Sequence, residues 1–318
     1  MVEKIYIPTF RRVDEQITLN SIPPGKYQEN VILVVQEQEL SQHKKARPEF
    51  NEDNYLVVGN DIGIAETRRQ IIYHAGETRF FIFDDDVEFH RRNMKFLMRE
   101  NHKWDLFKSD MKDYKLPNGD PIPDDRTSRK MYEKDFDEMI EIFDTWMDDE
   151  NENIIQIGFR SANLSPSWHL YTDFTDVYTG YLINGVEVSK FRDEINWTFV
   201  EVGEDSMMTL EFLLRGYKIR RSELFCIQPR WWQEGGCEAM GRDATLHNQE
   251  HRKLLKKYGK EGDDHPIVYK KYDIERPRIG LIEDYRFRWK EAYRSFYAEK
   301  IGKCKTLKEA LPWFEYIE

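Results

Sequence analysis

The stretch Phe80-Phe81-Ile82-Phe83-Asp84-Asp85-Asp86-Val87 decides the fold. Four apolar residues run straight into three acids. An uninterrupted apolar run is how a strand covered on both faces of a parallel sheet reads. Unpaired carboxylates are costly to bury, so the acids are expected at the strand's carboxyl end, facing solvent or a cation. In open α/β sheets ligands bind outside those ends. Hard divalent ions take oxygen ligands and commonly bridge a few carboxylates to substrate phosphates. The run therefore predicts a metal–diphosphate site. A plain acidic turn after a core strand is the alternative.

Outward from this strand the pattern alternates. Lys4 to Ile7, Val31 to Val35 and Tyr55 to Val58 read as strands, and Asp14 to Asn20 as a short helix broken at Pro23-Pro24-Gly25. Ile62 to Ala75 has helical spacing, with Gly76 placed to end it. Such β-α-β alternation predicts a Rossmann-like α/β fold with a mostly parallel sheet and covering helices. Ser109 to Lys130, with three prolines, reads as a long loop able to gate a site. Further on, Phe136 to Met147 reads as a helix and Ile154 to Phe159 and Tyr178 to Ile183 as strands. A helix from Ser206 to Leu214 follows, stopped at Gly216. Tyr217 to Ile219 and Phe225 to Ile227 look extended, and His247 to Tyr258 helical. Ile282 to Ile301 reads as one long amphipathic helix. No clean linker interrupts the chain, so residues 1–260 are expected to form one α/β domain and 261–318 a helical C-terminal extension packed on it.

At 318 residues the chain is long enough for a sizeable core. Its formal net charge of −11 argues against non-specific adhesion to nucleic acid or anionic membrane. Three cysteines, Cys226, Cys237 and Cys304, with no CxxC pair, support neither a disulfide framework nor a zinc knuckle. A reducing cytoplasm is the expected setting. Ile5-Tyr6-Ile7-Pro8 is too short for a secretory apolar region, and no stretch approaches the roughly 20 apolar residues of a membrane span.

Gly203-Glu204-Asp205 opens the predicted 206–214 helix. A carboxylate there is favoured by unpaired N–H groups and the helix dipole, so Asp205 reads either as a cap or as a base able to take a proton from an attacking hydroxyl. Trp231 and Trp232 are adjacent and face different ways; one could stack a sugar or a base, or both could pack. In the tail, basic residues alternate with rings from Tyr285 to Tyr297, a pattern that suits nucleic acid, where cations meet phosphates and rings stack bases. Tyr285, Trp289, Tyr293 and Phe296 follow helical spacing and so favour burial. His90-Arg91-Arg92 and Arg252 to Lys257 read as solvated basic faces.

The order of these motifs resembles a GT-A type glycosyltransferase over roughly residues 4 to 260, and in particular the TET-associated glycosyltransferases of phages. Ile7-Pro8-Thr9 is similar to that fold's first nucleotide-facing turn. Asp61 to Arg69 resembles the helix before the metal strand, and Asp84-Asp85-Asp86 the D-x-D site. Gly203-Glu204-Asp205 through Ile219 resembles the acidic motif, its helix and the "R-G-Y-K-I" strand, and Asn248 with Lys253 to Gly259 the closing "N…K-Y-G" stretch. The resemblance implies Mn²⁺ or Mg²⁺ held chiefly by Asp86, with Asp84 on the ribose or on the metal through water and Asp85 between them. Pro8, Thr9 and Arg11 would line the nucleotide pocket, and Asp61 and Arg68 would approach base and diphosphate. Trp232 and Gly235 would belong to the nucleotide-sugar site. Asp205 would be the base, with Glu204 orienting the acceptor. The chain departs from the pattern twice. Gln36-Glu37 stands where relatives carry an acid after the second strand, and the 231–236 loop lacks a histidine, which leaves His247 as metal-ligand candidate or surface helix histidine.

The expected activity is transfer of a sugar from a nucleotide-diphosphate sugar, a UDP-sugar foremost, to a hydroxyl. The resemblance implies a DNA acceptor such as 5-hydroxymethylpyrimidine. A polysaccharide or protein acceptor, a nucleotidyltransferase, and a non-catalytic nucleotide-sugar or DNA-binding module are the other readings. Against nucleotidyl transfer, Ile7-Pro8-Thr9-Phe10 offers no G-x-G phosphate loop.

Overall fold

The computed structural model describes residues 2–92, 128–164, 170–177, 179–230, 243–259, 266–276 and 280–303. Its centre is a ten-stranded sheet of order β3-β2-β1-β4-β9-β7-β10-β5-β6, with β8 on the side of β10. The strands are β1 (Val2–Pro8), β2 (Val31–Gln36), β3 (Tyr55–Val58), β4 (Arg79–Phe83), β5 (Val87–Arg92), β6 (Ser128–Lys130), β7 (Ile154–Ser161), β8 (Tyr171–Asp173), β9 (Gly180–Asn184) and β10 (Lys218–Pro229). β3, β2, β1 and β4 are mutually parallel. β9 runs against both β4 and β7, and β7 is parallel to β10. All the parallel strands therefore end at one edge of the sheet. The arrangement is that of a Rossmann-like GT-A fold.

The buried residues of β1, β2 and β4 are apolar but for Gln36 because both faces of these strands are covered, and their side chains alternate between two cores. On one face Tyr6, Ile32, Val34, Phe80 and Ile82 pack with α4 (Ile64–Ala75), α7 (Glu204–Leu213) and α8 (Ala244–Tyr258). On the other, Ile5, Ile7, Leu33, Phe81 and Phe83 pack with α1 (Ile17–Ser21) and α5 (Glu133–Asp148). Short helices α2 (Lys26–Glu29), α3 (Leu40–Ala46) and α6 (Gly185–Ser189) lie in connections. α7 and α8 are tied by Glu211, which accepts from Lys257 Nζ at 2.6 Å and from the Tyr258 hydroxyl at 2.5 Å. No helix among the described residues is long and apolar enough to cross a membrane.

The tail differs from the sequence expectation. Ile282 to Phe287 is not helical but belongs to β12 (Gly280–Phe287), which forms an antiparallel hairpin with β11 (Val268–Arg276). The helix α9 begins only at Trp289 (Trp289–Lys303). Tyr285 and Tyr293 are both buried in the same core, as their spacing suggested, but they reach it from a strand and a helix respectively. Asn248 explains part of the register: its Oδ1 accepts from the Glu283 N–H at 2.7 Å and its amide donates to the Leu281 carbonyl at 3.3 Å. The two extended pieces at 217–219 and 225–227 are one strand, β10, with a register shift against β7 between Ser222 and Cys226. Of the expected 109–130 loop, 109–127 lie outside the described residues and Ser128–Lys130 is β6. His90-Arg91-Arg92 is not a solvated face. All three are buried, because β5 is an interior strand between β10 and β6.

Candidate functional site

Asp84, Asp85 and Asp86 form the turn between β4 and β5, at the edge where the parallel strands end. The turn is held by its backbone. The Asp84 N–H donates to the Thr179 carbonyl at 2.9 Å. The Thr18 hydroxyl donates to the Asp84 carbonyl at 2.5 Å and accepts from the Val87 N–H at 2.9 Å. The three carboxylates then diverge. Contrary to the expectation that all face solvent or a cation, Asp85 points inward, buried against Arg12. An acid can occupy this place because a guanidinium meets it there. Arg12 also reaches Asp86 Oδ2 at 3.3 Å. Asp84 and Asp86 remain partly open, their side chains 31% and 20% exposed.

Burial pushes the Asp84 carboxyl up to about 6, against the pull of Arg68 and with the help of Asp86 and Glu204. Burial also raises Asp85 to about 6, opposed by Arg12. Asp86 rises by burial and by the charge of Asp85.

The second acidic motif meets the first at Arg68. This side chain projects from α4 and is buried. Its Nη2 donates to Asp84 Oδ1 at 3.1 Å and its Nη1 to Glu204 Oε1 at 2.5 Å, and Nη1 also pairs with Asp205 Oδ1. Burial works against the Arg68 charge, but Glu204 and Asp84 outweigh it and raise its pKa. The Tyr181 hydroxyl, from β9, donates to Asp205 Oδ1 at 3.2 Å. Glu204 and Asp205 occupy the first turn of α7, where the dipole favours them. Gly203 begins that helix at φ 85°, and a Cβ there would also lie 3.3 Å from Leu254 and 3.4 Å from the His251 ring. Glycine is what that left-handed conformation and close approach require.

The remaining expected residues gather around the same edge. Pro8 and Thr9 are buried at the end of β1. The Thr9 hydroxyl accepts from Gln16 Nε2 at 2.9 Å. Arg11 is exposed at φ 57°, its N–H donating to Glu39 Oε1 at 2.9 Å and its guanidinium over the Phe10 ring. Glu39, buried in the turn after β2, thereby ties that turn to the one after β1. Asp61 is exposed at φ 56°, its N–H donating to Gln36 Oε1 at 2.9 Å. His247 lies on α8, stacked on His251 with ring centroids 4.1 Å apart, and His251 is the one at Gly203. Trp232 and Gly235 lie outside the described residues.

Arg12, Thr18, Tyr181 and Glu39 escaped the sequence reading. Arg12 is 73 positions from Asp85 and Thr18 66 from Asp84, so no local spacing links them. Among the described residues no three side chains of His, Cys, Asp or Glu converge as a complete metal cage would need. Asp84 and Asp86 offer two outward carboxylates. Magnesium-like ions are commonly held by one or two carboxylates with substrate phosphates and water completing the shell, so the pair fits an ion that binds with its substrate.

The protein is thus an α/β chain with two acidic motifs joined at the carboxyl edge of its parallel strands. Residues 3–114, about a third of the chain, match the model of the TET-Associated Glycosyltransferase family, in line with the resemblance read from the motifs. The match points to a glycosyltransferase and includes β1 to β5 with Arg68 and the acid turn; Glu204 and Asp205 lie beyond it. No curated protein matches the chain.

Proposed function

We propose that the protein is a metal-dependent glycosyltransferase that moves a sugar from a nucleotide-diphosphate sugar, a UDP-sugar foremost, to a hydroxyl of 5-hydroxymethylpyrimidine in DNA. The observation that carries the reading is the convergence of Asp84 and of Glu204 and Asp205 on one buried guanidinium, Arg68. Donor-side and acceptor-side acids are thereby fixed within one side chain's reach of each other.

The roles follow from the contacts. Bound Mn²⁺ or Mg²⁺ supplies charge neutralisation for the departing diphosphate. Asp84 and Asp86 are the carboxylates that would hold it, and their mutual repulsion and burial favour a cation there. Asp85 does not share this role; paired with Arg12, it fixes the turn from inside. Asp205 has Oδ1 engaged by Arg68 and Tyr181, which leaves Oδ2 to take the acceptor hydroxyl's proton. Glu204, steadied through Oε1, orients the acceptor. Arg11 and Asp61, exposed past the ends of β1 and β3, would meet the nucleotide.

The test is mass spectrometry of nucleosides from hydroxymethylated DNA incubated with the protein, Mn²⁺ and a panel of UDP- and GDP-sugars. A hexose or pentose mass added to the modified base is expected. Asp86→Ala is expected to abolish that product and metal-dependent donor binding while circular dichroism stays native. Full turnover in the variant would remove the mechanism. Donor hydrolysis with no mass on DNA would move the acceptor to a polysaccharide or protein.

A further inference from the structure

Two turns at the edge where the parallel strands end carry strained backbone. Arg11 lies three residues past the end of β1 and Asp61 three past the end of β3, at φ 57° and 56°. Glycine adopts this left-handed region freely and aspartate at times; arginine has no such latitude. At Gly203, φ 85°, the chain uses glycine for positive φ. At these two turns it keeps a cation and an acid instead, and both side chains are exposed.

The turn after β2 holds both residues. β2 lies between β1 and β3 and is parallel to each. Glu39, 8% exposed, accepts the Arg11 N–H on Oε1 at 2.9 Å and on Oε2 at 3.2 Å. Gln36, 4% exposed, accepts the Asp61 N–H on Oε1 at 2.9 Å, and its Nε2 donates to the Ile62 carbonyl at 3.3 Å. The Gln38 N–H donates to Asn60 Oδ1 at 2.9 Å, a further tie between the second turn and the third. The Arg11 guanidinium is steadied over the Phe10 ring, 4.9 Å from its centre. In each case a buried polar side chain grips the backbone N–H of the strained residue and leaves its charged group outside.

Backbone strain persists only where the surroundings over-determine it, and it gathers at ligand clamps. A tie made only to join turns would be satisfied by glycine at both strained positions. We infer that Glu39 and Gln36 are positioning residues for a nucleoside diphosphate: through the backbone of Arg11 and Asp61 they hold one donor group and one acceptor group ready for it. An ionised carboxylate only accepts, so Asp61 takes the N–H or O–H groups of base and ribose. A guanidinium only donates, so Arg11 takes phosphate or carbonyl oxygens. Under the transferase reading, on which this assignment rests, that nucleotide is the leaving half of the donor.

The test is calorimetric titration of the full chain with UDP and with GDP in the presence of Mn²⁺, together with the urea midpoint of every variant. Glu39→Leu and Gln36→Leu are expected to weaken nucleotide binding about tenfold, the effect of one lost hydrogen bond. Glu39→Gln keeps an acceptor oxygen and is expected to bind within about threefold of wild type. A merely structural tie would lower the urea midpoint of the leucine variants and leave the affinity of the folded protein unchanged. Should neither leucine variant fold, Arg11→Gly against Arg11→Ala carries the test. Both are expected to lose about tenfold in affinity, and glycine to unfold at higher urea than alanine because it relieves the strain. Alanine equal to or above glycine in midpoint, or either variant binding like wild type, overturns the inference. Leucine variants that fold and bind like wild type overturn the positioning role alone and leave the transferase reading standing. A wild type that binds neither nucleotide overturns both.

Discussion

Replacing Arg68 by methionine keeps an unbranched apolar stem and removes the guanidinium with its charge. Three carboxylates, Asp84, Glu204 and Asp205, then face one another with no cation between them. Their side chains are 31%, 12% and 16% exposed, so water offsets only part of the loss. Removing one partner of a buried ion pair costs about 3–5 kcal/mol, and the guanidinium is 7% exposed, so that range applies. The loss is pH-dependent, with a definite sign. Asp84 already stands at about 6, above its ordinary 3.8, and the removal of Arg68 lifts it further. An acid whose folded pKa exceeds its unfolded value binds protons more tightly when folded, so its penalty is full at high pH and relieved as pH falls through the folded value. Urea unfolding of Arg68→Met and wild type at pH 7.5 and pH 5.5 is the assay. A deficit of about 3–5 kcal/mol at pH 7.5 that narrows by at least 1 kcal/mol at pH 5.5 is expected. A deficit under about 1 kcal/mol at pH 7.5, or one equal at both pH values, would refute the view that this guanidinium holds the acids together.

Two further predictions concern stability. Thr18→Val removes the hydroxyl that bridges the Asp84 carbonyl and the Val87 N–H, and should cost about 1–3 kcal/mol in urea unfolding, while Thr18→Ser keeps most of the stability. Equal midpoints for valine and wild type would show that the turn does not depend on the clasp. His43, fully buried on α3, is held down to about 4 from 6.5 by burial, with Arg47 adding. The unfolded chain takes the proton near 6.5 and the native one refuses it until about 4, so stability is lost as pH falls through that window, by about 3 kcal/mol in full. His43→Gln should flatten that component of the unfolding profile, and an unchanged slope would contradict the assignment.

The parallel half of the sheet was legible because its strands are buried on both faces, and continuous apolar runs such as Phe80 to Phe83 admit few other readings. The acid turn was legible for the same reason, being the place where such a run stops. What escaped was what depends on partners far along the chain. Nothing near Asp85 announces that Arg12 turns it inward. β5 escaped because Glu88, His90, Arg91 and Arg92 carry no apolar signal; an interior strand built from charges reads as surface. The tail misled by coincidence of period: Tyr285, Trp289 and Tyr293 are spaced as a helix would space them, yet the first belongs to a hairpin pinned by Asn248.

The junction at Arg68 also bears on the order in which the chain assembles during synthesis. Arg68 and Glu204 are 136 positions apart. At about 5–20 residues per second, a nascent chain that has emerged through β4 waits on the order of ten seconds before α7 leaves the ribosome. Through that interval the emerged portion has only Asp84 to offer the guanidinium. The first third of the polypeptide is therefore expected to stay loosely docked and chaperone-accessible until the second half arrives to lock it.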